Sequence, residues 1–155
     1  MLRGGNPAEI IVTSPGQSLS VDAIMEEQDT FLLLGTYPVI SETKEKYETL
    51  VKKMEQQKPL EPGQLLVRKT SPVRFVAINY DIENKPICCE EWIESSLKKL
   101  FAECNNLKII SLAMPLPGKK YGNISRDTSM ELLKKIFLLE KAAYPEKIFI
   151  LYEKE

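Results

Sequence analysis

The residues whose types and spacing best fit a chemical task lie in Gly118-Lys119-Lys120-Tyr121-Gly122. Glycine allows positive φ and close approach of the backbone to a ligand, so consecutive amides of such a turn can converge on an anion. Lys119 and Lys120 attract negative charge, and Tyr121 sets an aromatic ring beside the turn. The chemistry is phosphate or nucleotide binding. A surface turn with two solvated lysines explains the same residues, because short glycine motifs often arise by chance, and both readings stay open here. Magnitudes limit the first. A helix terminus contributes roughly 0.3–1 kcal/mol to anion binding, and about 2 kcal/mol when partly buried. Even millimolar affinity needs about 4 kcal/mol.

Other reactive groups point less far. Glu26, Glu27 and Asp29 could hold a hard cation such as magnesium. Consecutive carboxylates without the alternation of a metal loop are normally a solvated surface, so no metal site is expected. Cys88 and Cys89 open a helical pattern, where the helix terminus can lower a thiol pKa, and Glu90 and Glu91 suit its first turn. With Cys104 they make three cysteines without CxxC spacing, which reads as packed, reduced thiols and not a disulfide framework. The chain contains no histidine. That excludes Ser-His-Asp and Cys-His catalysis and imidazole-held zinc. No catalytic residue and no cofactor is assigned.

The totals bound the rest. The chain has 155 residues, 43% apolar and 28% charged, with net charge −1, which fits one globular domain over residues 1–155. Without a basic stretch, nucleic acid is not an expected partner. No apolar run approaches the ~18 residues of a membrane span. Met1 to Pro7 lacks a signal-peptide core, so the expected location is cytoplasmic.

The elements that must position these groups follow from periodicity. Ala8–Thr13 reads as a first strand and Ser20–Ile24 as a second, with Glu26–Asp29 a polar interruption. Phe31–Leu34 is a short apolar run of strand length. Ser41–Gln57 is helical, with Tyr47, Leu50, Val51 and Met54 on one stripe. Leu65–Val67 and Phe75–Ile78 are too close for a helical crossover and form an antiparallel pair. A second helix runs from about Cys89 to Cys104, its stripe formed by Trp92, Ile93, Leu97, Leu100, Phe101 and Cys104. Ile109–Met114 reads as a strand buried on both faces in the middle of a parallel sheet. The third helix, about Ser125 to Ala143, turns Leu132, Leu133, Ile136, Phe137 and Leu139 inward, and Ile148–Leu151 closes the chain. The expected fold is α/β: a three-layer α/β/α sandwich with a mixed, mostly parallel central sheet. It sets the glycine turn at the carboxyl edge of the sheet, before a helix N-terminus.

From about Ala8 to Glu153 the order and spacing resemble the macrodomain, the module known for binding ADP-ribose. Gly16-Gln17-Ser18 stands at the family's Gly-Asp-Ile turn, and Val21-Asp22-Ala23-Ile24 at its Val-Asp-Ala-Ile strand. Pro62-Gly63-Gln64-Leu65-Leu66-Val67 is similar to its Gly-Asp-Ala-Val strand entry, and Arg74–Ile78 sits at its next strand. Ser111-Leu112-Ala113-Met114-Pro115 resembles Ser-Ile-Ala-Phe-Pro, and Pro117–Gly122 matches the place of its glycine phosphate loop. The amino-terminal domain of leucyl aminopeptidases shares this architecture without the ADP-ribose loops.

The resemblance implies a ligand site on Gly118, Lys119, Lys120, Tyr121 and Gly122, with Gln17 and Asp22 toward the base. Gln17 as a plain turn residue and Asp22 as a backbone cap are the simpler readings of those two. Gln17 stands where the family has an adenine-recognising aspartate. Met25-Glu26-Glu27-Gln28-Asp29-Thr30 replaces its Asn-Ala-Ala-Asn loop, on which ADP-ribose removal depends. The implied function is weak nucleotide, ADP-ribose or phosphate binding. The alternative is a ligand-free structural or interaction domain, with a homo-oligomer as one form of it.

Overall fold

The computed structural model describes residues 9–14, 19–32, 60–83, 87–119, 122 and 124–152. The elements are β1 (Glu9–Thr13), β2 (Ala23–Asp29), β3 (Leu65–Arg68), β4 (Val73–Tyr80), α1 (Glu90–Leu107), β5 (Ser111–Pro115), α2 (Arg126–Glu140) and β6 (Lys147–Leu151). The strands form one sheet in the order β1-β6-β5-β2-β4-β3. All neighbours are parallel except β3 against β4. The sheet is mixed and mostly parallel, as its apolar runs foretold, and the helix expected over 41–57 lies outside the described residues.

Alternation along the strands decides which face the helices cover. Ala23 and Met25 of β2, Phe75 and Ala77 of β4, Leu112 and Met114 of β5, and Ile148 and Ile150 of β6 point to one side. There they join Ile93, Leu97, Leu100, Phe101 and Cys104 of α1 and Leu132, Leu133, Ile136 and Phe137 of α2 in one buried cluster. The helices meet at Phe101 and Phe137, whose rings stand edge to face with centroids 5.1 Å apart, a favoured aromatic geometry. Leu139 departs from the expected inward stripe. It and Leu138 are exposed at the end of α2, where the helical period has carried them past the core-facing arc.

Local signals set the helix ends. Ser125 caps α2 by accepting a hydrogen bond from the Thr128 amide at 3.2 Å, and Asp127 sits in the first turn, where its charge opposes the helix dipole favourably. Cys89 caps α1 in extended conformation without a side-chain bond. That helix continues past the expected stop at Asn105-Asn106 to Leu107, and closes with Lys108 in the left-handed region at φ 55°.

β2 is the main correction. The polar run expected to interrupt the chain is the carboxyl half of this central strand, paired with β4 from Ala23↔Val73 to Gln28↔Ile78. Phe31 and Leu32, expected in a strand, form the turn after it, with Leu32 at φ 60°. Leu33 and Leu34 lie outside the described residues. Glu26 is neutralised across the strand pair by Arg74 at 3.0 Å. Asp29 is fully buried and accepts from the Phe31 amide at 3.0 Å. Tertiary partners thus satisfy side chains that composition alone assigns to a solvated loop.

Candidate functional site

β2 and β5 pair only at Ala23↔Leu112 and Ile24↔Ala113, although β2 continues to Asp29 and β5 to Pro115. Their carboxyl ends therefore part. The chain leaves β2 for the β3–β4 side of the sheet and leaves β5 for the β6 side. Such a switch in direction opens a crevice at the carboxyl edge of an α/β sheet, where ligands of this architecture lie.

The turn after β5 borders that crevice. The amide of Lys119 donates to the Leu116 carbonyl at 3.3 Å, and the buried Ser129 hydroxyl donates to the Pro117 carbonyl at 2.7 Å, which ties the turn to α2. Gly118 takes φ +77°, and a Cβ there would stand 2.5 Å from Ile93 Cδ1 and 2.6 Å from Ile124 Cγ1. A Cβ on Gly122 would stand 2.6 Å from the Gly118 carbonyl and 2.8 Å from Cys88 Cβ. Both glycines are required because the turn folds back on itself and against the head of α1.

The Gly118 amide does not face solvent alone. It donates to Glu27 Oε2 at 2.8 Å, and the same oxygen accepts from Asn79 Nδ2 at 2.6 Å. The Tyr80 hydroxyl donates to Glu27 Oε1 at 3.0 Å. Asn79 and Tyr80 are fully buried, and Asn79 is oriented by the Ser96 hydroxyl, which donates to Asn79 Oδ1 at 2.6 Å. A carboxylate from β2 thus spans the crevice, linking β4 to the glycine turn. Farther along the edge, Lys119 Nζ lies 5.5 Å and the Arg126 guanidinium 4.9 Å from the centroid of the Tyr152 ring after β6, within cation–π range.

No family model matches the sequence, and no curated protein matches it. Solved structures do. The macrodomain of Thermus aquaticus DarG superposes with TM-score 0.65 and 16% identity, over 94% of this chain and 99% of that one. The macrodomain of Mycobacterium tuberculosis DarG gives TM-score 0.68 and 14% identity, over 94% and 99%. An Oceanobacillus iheyensis macrodomain variant, in a structure with ADP-ribose, gives 0.66 and 10%, over 96% and 88%. The fold is that of a macrodomain.

Within this fold the expected site residues separate. Gly118, Lys119 and Gly122 lie together at the carboxyl edge, while Lys120, Tyr121 and Gln17 lie outside the described residues. Asp22 stands at the other end of β2. Its carboxylate accepts from the amides of Ile110 at 3.0 Å and Ser111 at 3.4 Å, so it pins the amino ends of β2 and β5 together and is not brought to the glycine turn. Asn79, Tyr80, Arg126 and Tyr152 carry no sequence signal for this place, and Glu27 reads there only as part of an acidic, solvated run. One signal was available for Glu27: period-2 alternation from Ala23 and Met25 carries it onto the same face, at the edge where the strand ends.

Among the described residues no group of three or more acidic or cysteine side chains is placed to hold a metal ion, and no helix is long and apolar enough to cross a membrane. Cys88 follows the packed-thiol reading and not the activated one. Burial, and then the nearby charge of Glu27, push it up to about 12 instead of down, outweighing its place before α1. Burial likewise pushes Cys104 up to about 12. These raised values mean that stability is complete below pH 9, the ordinary thiol value, and falls as pH rises toward 12 while only the unfolded chain ionises. At pH 8 each thiol carries roughly a thousandfold less thiolate than an ordinary cysteine. Iodoacetamide followed by peptide mapping is expected to leave both unlabelled in the folded protein and to label both in denaturant. Rapid native labelling of Cys88 would contradict its placement.

Proposed function

We propose that this protein is a nucleotide-binding module of macrodomain type whose ligand, of the ADP-ribose class, lies across the parted carboxyl ends of β2 and β5. One observation carries the reading: the Gly118 amide is already aimed at an anionic oxygen, at 2.8 Å. The turn has the geometry of an oxyanion site. On this reading Gly118, Lys119, Lys120, Tyr121 and Gly122 receive phosphate, with Arg126 and Tyr152 beside them and Gln17 contributed by the connection after β1. Structures of the Oceanobacillus iheyensis macrodomain with ADP-ribose and with ADP support the ligand class. Binding without turnover fits a chain that has no histidine and no Asn-Ala-Ala-Asn loop.

The same observation sets the affinity. A phosphate about 4 Å from ionised Glu27 would be repelled by about 4 kcal/mol at an effective dielectric near 20. That equals the whole binding free energy of a millimolar ligand, about 4 kcal/mol. Binding with Glu27 in place is therefore weakened by about a thousandfold and requires Glu27 to swing aside. The second reading, a structural or protein-interaction macrodomain without a small ligand, is favoured by that same occupancy of the Gly118 amide. Titration calorimetry and thermal-shift measurements with ADP-ribose, AMP and inorganic phosphate separate the two. A saturable response to ADP-ribose that is larger than the response to phosphate, and reduced in Lys119→Glu, supports the module. A flat response to every ligand up to about ten millimolar supports the structural role, since affinity weaker than that leaves under 4 kcal/mol to detect.

A further inference from the structure

Among the described residues three donors converge on Glu27: the Gly118 amide and Asn79 Nδ2 on one carboxylate oxygen, and the Tyr80 hydroxyl on the other. They come from two different strand ends, and two belong to fully buried residues. Hydrogen bonds to an ionised acceptor are short and strong, and the Asn79 bond at 2.6 Å and the Gly118 bond at 2.8 Å are of that kind, while the Tyr80 bond is longer at 3.0 Å. The Asn79 donor is also held in place from behind by Ser96 at 2.6 Å. This arrangement is preorganised. Nothing in it requires the carboxylate to be attached to β2.

We infer that the Gly118 amide, Asn79 Nδ2 and the Tyr80 hydroxyl form a carboxylate-binding cradle that Glu27 fills from within, and that accepts a small free carboxylate when Glu27 is truncated. The inference stands whether or not a nucleotide binds farther along the crevice. Replacing Glu27 by alanine removes Cγ, Cδ and both carboxylate oxygens, the same set of heavy atoms as acetate. A free anion must also keep a van der Waals gap from the remaining Cβ that the covalent chain did not need, so formate is the better fit and acetate the tighter one. A planar anion with two oxygens reproduces the split of donors between Oε1 and Oε2. Tetrahedral phosphate, larger and more highly charged, can meet the Gly118 amide from outside but does not reproduce the planar split that engages all three donors.

The cradle also explains why the crevice-facing half of β2 carries carboxylate chemistry in a position that composition marks as loop. Glu27 fastens the turn after β5 to β4 across the gap where β2 and β5 stop pairing. The internal anion supplies the link that ladder hydrogen bonds supply elsewhere in the sheet, and it closes the turn to outside anions at the same time.

The test is thermal melting of wild-type protein, Glu27→Ala and Glu27→Gln in sodium formate, acetate, phosphate and chloride at matched ionic strength. Wild-type protein is expected to melt at the same temperature in formate, acetate and chloride, and its response to phosphate, which stabilises folded proteins generally, serves as the reference for that salt. Glu27→Ala is expected to melt lower, and to regain about 2–5 °C in about 100 mM formate or acetate, relative to chloride, in a saturable way. Glu27→Gln keeps the volume but loses one acceptor and the charge. It is expected to melt below wild type and to gain nothing from formate, which keeps the inference testable if the alanine variant does not fold. Formate rescue of Glu27→Ala together with a flat ADP-ribose response in wild-type protein would support the cradle and remove the nucleotide reading. A Glu27→Gln variant as stable as wild type, or a folded Glu27→Ala variant indifferent to formate and acetate, would overturn the cradle. So would a gain of Glu27→Ala in phosphate, beyond that of wild type, that exceeds its gain in formate.

Discussion

Gly118→Ala is expected to lower the melting temperature by about 5–15 °C, with no surface contact changed. Two costs add. An L-residue held in the left-handed region costs roughly 1–2 kcal/mol, and Gly118 sits at φ +77°. The new methyl would also meet Ile93 Cδ1 at 2.5 Å and Ile124 Cγ1 at 2.6 Å. Ile93 is fully buried in the core and has little freedom to retreat, so overpacking adds about 1–3 kcal/mol. Chemical denaturation should show the midpoint falling with an unchanged slope, because the denatured chain is unaltered in extent. A variant within a degree of wild type would mean that the turn does not pass over Ile93 in the left-handed conformation. Because the residue is structural, its substitution cannot serve as a binding-deficient control, and Lys119→Glu is the suitable one.

Phe101→Ala is expected to cost about 3–5 kcal/mol, the range for removing a buried aromatic ring. Phe101 is 0% exposed, lies in the cluster between helices and sheet, and supplies half of the 84° edge-to-face contact with Phe137. The cavity would open at the junction of α1 and α2, where the sheet below is a rigid floor and collapse requires moving a helix. Against a typical stability of about 5–15 kcal/mol, this loss alone leaves a marginal protein. Phe137→Ala tests the mechanism. Phe137 is 8% exposed, so its own loss should be smaller, and the double variant should lose less than the sum of the two because the ring pair is removed only once. Strict additivity would show that the ring contact contributes nothing beyond burial.

The chain itself determined a good deal. Apolar runs at Leu112–Met114 and Ile148–Leu151 made parallel strands, because only a strand covered on both faces tolerates such residues. The short link between β3 and β4 forced them antiparallel. Ser125, before a helical stripe, fixed where α2 begins. These signals are local, and local chemistry is enough to decide them. The glycine turn was legible for the same reason: Gly118 answers to a left-handed backbone that side chains rarely adopt, and Gly122 to a space that a Cβ would fill.

What only the tertiary structure decided concerns polar groups whose partners are distant in sequence. Glu27 reads as solvated until Asn79, Tyr80 and Gly118 are brought around it. Asp22 reads either as a ligand group or as a backbone cap until its carboxylate is found on the amides of Ile110 and Ser111. Cys88 reads either as a packed thiol or as one activated by the helix start until burial and the charge of Glu27 are known. A side chain's charge state and role depend on the field and the donors within a few ångströms. Those neighbours come from strands adjacent in the sheet but far apart in the chain, so the sequence could name the turn while folding alone chose the anion that sits in it.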